Sequence, residues 1–583
     1  MDNKKYPLDG WQVAAPLVAI ISFTCYSGTF HFPFQFDDET MFVNSDPSGF
    51  LKDARTIWSV NPSRFVHFLS FGINYWIGGT DTFGYHVVNF AIHLANVFLV
   101  WRLMEMIVGM ECHRSCGPFA IGSIMRRAPL FAALLFAAHP LQTQAVTYIW
   151  QRSTSLSAFF YLLSLLLYLK FARSEILGAP RRRLLAVSLL SAIAAMFTKQ
   201  IAVTLPVAVA IVDYYFVSRS LSGLRRRMTV IAAYLPVLLV VPAMSAMGYS
   251  RELTDVSDRA LRVAAHSEYL FTQFNVIVTY IRLLAWPVGQ NLDYDYPLAR
   301  SLADCLPSLV LLCAIFALGV WLFRRNRIAS FGIIFFFLAI SVESSIFPLE
   351  DLIFEHRAYL PSVGAFAAFW ALTMPVIGKI TYSDRGQRII AVAFITVILI
   401  PLIAATRARN EVWKDKITLW SDVAEKSPGK PRGYIHIGLA HMRADRLGDA
   451  ETWFNKAAQV APQNAYAHYM LGKIYVKRGE DGRAIGEFEA ALSRQDNLSL
   501  AHMQIGDIHM RRGDCPLAAK SYIRAVNLAP GMVEFRMKLG RALEKCGDRR
   551  GSATVFESVL KIEPENIEAR QALDAQKGGN SGR

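Results

Sequence analysis

Residues 391–430 read AVAFITVILIPLIAATRARNEVWKDKITLWSDVAEKSPGK, and the change of character inside this stretch decides the fold. Up to Thr406 it is apolar and long enough to cross a bilayer as helix. From Arg407 onward it is polar and made of helix-forming residues. Toward the N-terminus, apolar runs of about 20 residues recur, the length that spans hydrocarbon. Toward the C-terminus, Ala, Lys, Glu and Arg dominate. The expected fold is all-α: a polytopic helical membrane domain over 1–406, a linker and half-repeat cap over 407–430, and a helical repeat array beyond.

Composition agrees. Of 583 residues, 53% are hydrophobic and only 18% charged, and the mean hydropathy is +0.29. That is too apolar for an ordinary soluble protein. The net charge of +15 does not call for nucleic acid, because the arginines cluster in short loops between apolar runs, as in cytoplasmic loops of membrane proteins. The seven cysteines are scattered. Cys112 and Cys116 lack a second pair to complete a metal site and are read as reduced thiols in a cytoplasmic loop. The first apolar run, Trp11 to Phe30, lacks a small-residue cleavage site and reads as an anchor.

Lys4 and Lys5 place the N-terminus in the cytoplasm. Spans are expected near 11–30, 83–108, 128–147, 152–172, 184–198, 201–217, 228–248, 304–323, 328–347, 358–378 and 388–406, about 11 crossings. Arg114, Arg126, Arg127, Arg173, Arg181 to Arg183, Arg225 to Arg227, Arg324, Arg325 and Arg327 then fall inside. Residues 64–77 and 269–286 read as interfacial helices on the outer face. Everything after Arg407 falls outside.

The C-terminal region repeats. Gly438, Gly472, Gly506 and Gly540 recur every 34 residues, as do Ala450, Ala484, Ala518 and Ser552. Phe454, Phe488, Tyr522 and Phe556 keep the same step, and Pro462, Asp496, Pro530 and Pro564 close each unit. Small residues let two helices touch, an aromatic fills the pair, and proline ends the second helix: the tetratricopeptide pattern. Four repeats are expected over 431–464, 465–498, 499–532 and 533–566, with a tail over 567–583. Lys414 to Lys426 reads as the half-repeat cap. Such arrays bind extended peptides or proteins on a concave face. Candidate lining residues are Tyr466, Tyr469, Lys473, Met503, Asp507 and Arg541, although the Tyr and Met residues could instead pack between repeats.

The chemistry is expected in the membrane domain. Just past the first apolar run stands FQFDDE, Phe34 to Glu39. Adjacent carboxylates at the mouth of a span must be solvated, paired or used. Asp37 and Asp38 could hold a divalent metal or deprotonate a hydroxyl. Other polar residues fall at predicted outer ends of spans: His139, Gln144, Arg152, Lys199, His356 and Arg357, with Asp293 and Asp295 in the long outer segment. Each alone could cap a helix or reach for water. Together they put acids, histidines and cations on one face, and convergent cations suit a phosphate.

These stretches carry a resemblance. FDDETMFVN (Phe36 to Asn44), FGYHVVNFAIHLANV (Phe83 to Val97), AHPLQTQAVTYIWQR (Ala138 to Arg152), TKQIAVTLP (Thr198 to Pro206) and EHRAYLPSVG (Glu355 to Gly364), followed by the repeats, resemble the transmembrane and tetratricopeptide-repeat glycosyltransferases. Those belong to the polytopic, lipid-sugar-using GT-C superfamily, and their animal members are O-mannosyltransferases. Two positions depart from the family pattern: Gln144 and Gln200 stand where glutamate is usual, which argues against a charge or metal role there.

The resemblance implies transfer of a sugar from a polyprenyl-phosphate donor to a protein hydroxyl outside the cytoplasm. Asp37 and Asp38 would be catalytic; Arg152, Lys199, His356 and Arg357 would meet the donor phosphate; His139, Gln144, Asp293 and Asp295 would complete the site. The repeats would bind the protein or peptide acceptor. A bacterial inner membrane with the repeats in the periplasm is expected, the alternative being the endoplasmic reticulum with the repeats in its lumen. Two other readings are a non-enzymatic membrane-anchored scaffold and a transporter. The scaffold would not need Asp37 or Asp38, and a transporter would place paired charges nearer mid-membrane.

Overall fold

The computed structural model describes residues 9–44, 46–115, 128–244, 264–345, 347–380 and 383–578. The predicted roles of Lys4, Lys5, Cys116, Arg126 and Arg127 lie outside these residues, as does the side chain of Cys112. Among the described residues every regular element is helical. The chain divides into two compact units, Met1–Leu419 and Trp420–Arg583.

In the first unit six helices are long and apolar enough to cross a membrane: Thr82–Glu111, Ile149–Ile176, Gln200–Ser218, Ala303–Leu322, Glu355–Ile380 and Arg385–Glu411. Shorter apolar helices cover Ala14–Thr29, Ala128–Ala138, Met228–Met244 and Arg327–Ile340, and Arg182–Met196 is a further helix. Among the crossings expected, those near 128–147 and 328–347 are shorter helices than the apolar runs suggest. The run expected at 128–147 stops at Ala138, because Pro140 has no N–H to continue the ladder and His139 caps the break, its Nδ1 accepting from Leu141 N at 3.2 Å. The run expected at 328–347 stops at Ile340, where Ser341 and Ser345 donate to the carbonyls of Leu338 and Val342 at 2.8 and 3.1 Å. Such hydroxyls compete with the helix for backbone partners.

Two ends of this unit differ in chemistry. At one end Arg227 pairs with Glu175 at 2.6 Å and with the buried Asp213 at 2.7 Å. Arg219 pairs with Glu111, and Arg327 donates to Tyr215 O at 2.9 Å. The other end gathers the acid pair, Lys199, Glu343, Glu355 to Arg357 and Asn410. The contacts of Arg219, Arg227 and Arg327 are thus made apart from the candidate site.

The helices Arg327–Ile340 and Tyr359–Ile380 cross at two glycines. A Cβ on Gly332 would collide with Gly364 O and lie 2.7 Å from Ala368 N. Backbone contact this close leaves no room for a side chain between the two helices. Gly332→Leu should wedge the pair apart and cost about 1–3 kcal/mol, read as a lower thermal unfolding temperature in detergent with loss of activity.

The second unit stacks four helix pairs: Pro431–Arg443 with Leu447–Val460, Ala465–Arg478 with Asp481–Arg494, Ser499–Arg512 with Cys515–Leu528, and Val533–Lys545 with Arg549–Ile562. In every pair the repeating glycine touches the repeating aromatic: Gly438 and Phe454, Gly472 and Phe488, Gly506 and Tyr522, Gly540 and Phe556. Residues 567–578, read as tail, form a further helix, Ile567–Gly578. It buries Ala569 and Leu573 against Met537, Phe556 and Val559, because the last repeat would otherwise leave an apolar face in water.

Candidate active site

The acid pair opens a short helix, Asp37–Phe42. Phe34 stacks on Phe42 with centroids 4.8 Å apart, inside a buried cluster with Phe71, Tyr85 and Ile149. Phe36, immediately before the pair, has φ 52°, a strained conformation for a bulky residue. The segment is also tied to the chain after the last span. Gln35 Nε2 donates to Trp413 O at 3.2 Å, and Glu39 pairs with Lys416. Thr147 donates to Asn410 at 2.6 Å and Asn410 to Cys25 O at 2.9 Å, joining three elements beneath it.

The two aspartates differ in environment. Asp38 is buried and accepts from Trp150 N at 2.7 Å and Gln35 N at 3.2 Å. Burial pushes its carboxyl well above the ordinary range; the two N–H groups and Arg152 oppose this, and Asp37 adds to it. Asp37 is half-buried. Tyr148 donates to Asp37 Oδ2 at 2.6 Å while accepting from Asp37 N at 3.2 Å. Negative charge is disfavoured on the buried partner: Asp38 is the enclosed member of the pair, held by two backbone N–H groups, and Asp37 the half-buried one, held by Tyr148.

Arg152 was expected to meet a donor phosphate. It is fully buried, and protein acceptors surround it: Asn89 Oδ1 and Asn74 Oδ1 at 2.6 Å, Ser70 O and Tyr85 O at 3.0 Å. Its guanidinium lies 4.5 Å from the Phe71 ring centroid. It is enclosed beneath Asp38, whose negative charge it favours.

Lys199 Nζ sits 2.8 Å from Glu343 Oε1 and 2.9 Å from Thr154 Oγ1. Burial holds the Lys199 ammonium below its usual range, with Glu343 opposing. Burial also works against the Glu343 charge, but Lys199 and Arg357 outweigh it and hold that carboxyl below its usual range. Arg357 donates to Asp351 O at 2.8 Å and Leu352 O at 3.2 Å, and both Lys199 and Arg357 act electrostatically on His356. Lys199, His356 and Arg357 thus share one neighbourhood, built around a carboxylate that the sequence reading missed. Glu343 had a signal: a lone acid in the apolar run FFFLAISVESSIF needs a partner.

Gln144 is a structural bridge. Its Nε2 donates to Asn291 O at 3.0 Å and its Oε1 accepts from His356 N at 3.3 Å. An amide serves both contacts and an ionised carboxylate, an acceptor alone, could not. Beside it, Glu355 accepts from Gln290 Nε2 and Asn291 N at 2.7 Å and from Tyr294 at 2.6 Å. Asp293 is buried next to this network and Asp295 is exposed. His139 donates through Nε2 to Leu284 O at 3.1 Å and faces an apolar cavity of ≈ 570 Å³ lined by Leu135, Phe336, Phe366, Phe394 and Leu402. Among the described residues no group of three His, Cys, Asp or Glu side chains is placed to hold a metal ion.

On the repeats the six candidates separate. Tyr466 is exposed, and Lys473 Nζ lies 5.9 Å from the Tyr469 ring centroid. Tyr469 itself is buried against Phe488 at 5.7 Å, and Met503 is buried in a cluster with Tyr522; both are packing residues. Asp507 accepts from Tyr522 and from Lys538, each at 2.6 Å, and Arg541 pairs with Glu568.

The C-terminal region matches the tetratricopeptide repeat family over residues 435–499 and 503–567. Over most of its length the chain is similar to two proteins named protein O-mannosyl-transferases. A Drosophila melanogaster protein is 24% identical over 452 residues, 67% of this chain and 48% of its own length. A Caenorhabditis elegans protein is 26% identical over 431 residues, 71% of this chain and 57% of its own length. A human protein of the same description is 31% identical over 27% of this chain and 23% of its own length. The chain thus spans about half the length of the first two relatives.

Proposed function

We propose that this chain, a homologue of the protein O-mannosyl-transferases, moves a sugar from a polyprenyl-phosphate carrier to a protein hydroxyl on the non-cytoplasmic face of a membrane. The observation that carries the reading is the half-exposed Asp37, fixed by Tyr148 at 2.6 Å, within a chain similar to such transferases over most of its length. The relatives' names make mannose the first sugar to test.

Asp37 takes the proton of the acceptor hydroxyl as its oxygen attacks the anomeric carbon. The bond to the carrier phosphate breaks on the opposite side, so the anomeric configuration inverts. Asp38 holds the turn that aims Asp37. The departing phosphate gathers charge beside Lys199, which exchanges part of its contact with Glu343 for the phosphate oxygens. The carrier's chain occupies the apolar cavity beside His139. The arginine-rich end faces the cytoplasm, in a bacterial inner membrane with the repeats in the periplasm or in an endoplasmic reticulum with the repeats in the lumen.

The repeats recruit the acceptor. Deletion of residues 431–583 should leave donor-lipid binding intact, because every candidate donor contact lies in the first unit. Transfer to the native acceptor should fall by ~10²-fold or more as the effective acceptor concentration is lost, while a short peptide at high concentration is still modified. Unchanged transfer to the native acceptor would refute recruitment, and loss of donor binding would make the repeats a support for the membrane unit.

A further inference from the structure

Cys515 and Cys546 take no part in the chemistry above. Cys515 opens the helix Cys515–Leu528, just after Gly513, whose φ of 82° turns the chain out of the previous helix. Cys546 closes the helix Val533–Lys545, just before Gly547 at φ 84°. The two helices pack together and run in opposite directions, so the start of one meets the end of the other. The Cys515 and Cys546 thiols are neighbours, near enough for one to act on the other, and Cys515 Sγ donates to Gly513 O at 3.5 Å. Cys546 is exposed and Cys515 half-buried, so both are open to reagents.

The repeat supplies an independent check on this geometry. One 34-residue step earlier, the equivalent positions hold Asp481 and Arg512. Those two are also bridged: Arg512 Nε lies 3.5 Å from Asp481 Oδ2, and Arg511 adds a contact to Asp481 at 2.6 Å. The same two sites face each other at successive junctions, joined by charge at one and by two thiols at the next.

We propose that Cys515 and Cys546 close to a disulfide that clamps the third repeat to the fourth. Its closed state in the cell rests on the reading that the repeats face an oxidising compartment. Closure removes two protons and two electrons from the thiols. A disulfide-bearing oxidant takes the electrons: one thiolate attacks it to give a mixed disulfide, the second displaces the oxidant's thiolate, and two oxidant thiols result. Burial, then the neighbouring Cys515 thiol, holds the Cys546 thiol above its usual range, so the half-buried Cys515 is the partner better placed to open the exchange with the oxidant, and Cys546 closes it. The bridge would fix the helix bearing Tyr522 against the helix bearing Lys538, the two residues that grip Asp507.

The full-length protein in detergent is incubated with oxidised glutathione, the remaining thiols are alkylated, and tryptic peptides are read by mass spectrometry. The expected product is peptide Gly513–Lys520 joined to peptide Cys546–Arg549, absent in Cys515→Ser and in Cys546→Ser. Unfolding of the repeats should shift upward by about 5 °C or more in the oxidised wild type alone. Two alkylated thiols after excess oxidant, in protein whose helical spectrum shows it folded, would overturn the pairing. A parallel sample, alkylated in intact cells before lysis, separates the two claims. A bridge formed in detergent but absent in cells leaves the pairing standing and overturns the compartment assigned to the repeats.

Discussion

Asp37→Asn should lower the turnover number by ~10²–10⁴-fold, the range expected for loss of a general base, with little change in the KM for donor or acceptor. An amide keeps the size of the side chain and can still meet Tyr148, so the turn should persist while proton acceptance is lost. Asp38→Asn should behave differently. Asp38 accepts from two backbone N–H groups, and an amide can satisfy only one of its two positions as an acceptor. The second N–H would then face an N–H₂, loosening the turn, raising KM and lowering the unfolding temperature along with the rate. Equal losses in turnover, with KM and stability unchanged in both variants, would show that the two carboxylates act as one unit. Near-normal turnover in Asp37→Asn would remove it as the base.

Arg152→Met should cost about 3–5 kcal/mol of stability, the range for removing one partner from a buried charged network. The change strands Asn74 and Asn89 and the carbonyls of Ser70 and Tyr85 without their donor, and removes a cation that favours the Asp38 charge. Arg152→Lys should recover little, because an ammonium cannot reach acceptors arranged around a planar guanidinium. The check is thermal unfolding of detergent-solubilised protein, paired with donor-lipid affinity in the fraction that stays folded. A folded, stable variant with weakened donor binding would restore Arg152 to the phosphate. A destabilised variant whose folded fraction still binds donor would confirm it as the floor of the acid pair.

These two residues show where sequence reading reached its limit. Asp37 and Asp38 are adjacent and chemically identical, so the sequence finds the pair, but burial, which tells them apart, comes from the fold that sets Asp38 against the backbone of Gln35 and the distant Trp150. Arg152 follows a motif at a helix end and reads as an interfacial cation. Its acceptors come from Ser70, Asn74, Tyr85 and Asn89, which no local spacing connects to it. Lys199 was legible as a cation at the turn between two apolar runs, yet its partner Glu343 sat inside a run read as membrane span. The elements themselves were more accessible. Apolar length and arginine position mark the helices of the first unit because hydrocarbon and membrane orientation act on short segments. The 34-residue step marks the repeats because each glycine must meet its own aromatic. What escaped was the length of individual helices, set by local breaks such as His139–Pro140 and Ser341, and the packing role of Tyr469 and Met503, which only the stacked neighbours reveal.

The central claim is tested most directly by reconstituting the purified full-length chain in liposomes with polyprenyl-phosphate mannose and its isolated repeat-binding acceptor, or a Ser/Thr peptide at high concentration, and reading the product by mass spectrometry. The account predicts one added hexose on a hydroxyl side chain, of inverted anomeric configuration, formed by the wild type and lost in Asp37→Asn. A product that forms equally well with Asp37→Asn, or no transfer by folded wild-type protein from any polyprenyl-phosphate sugar, would contradict it.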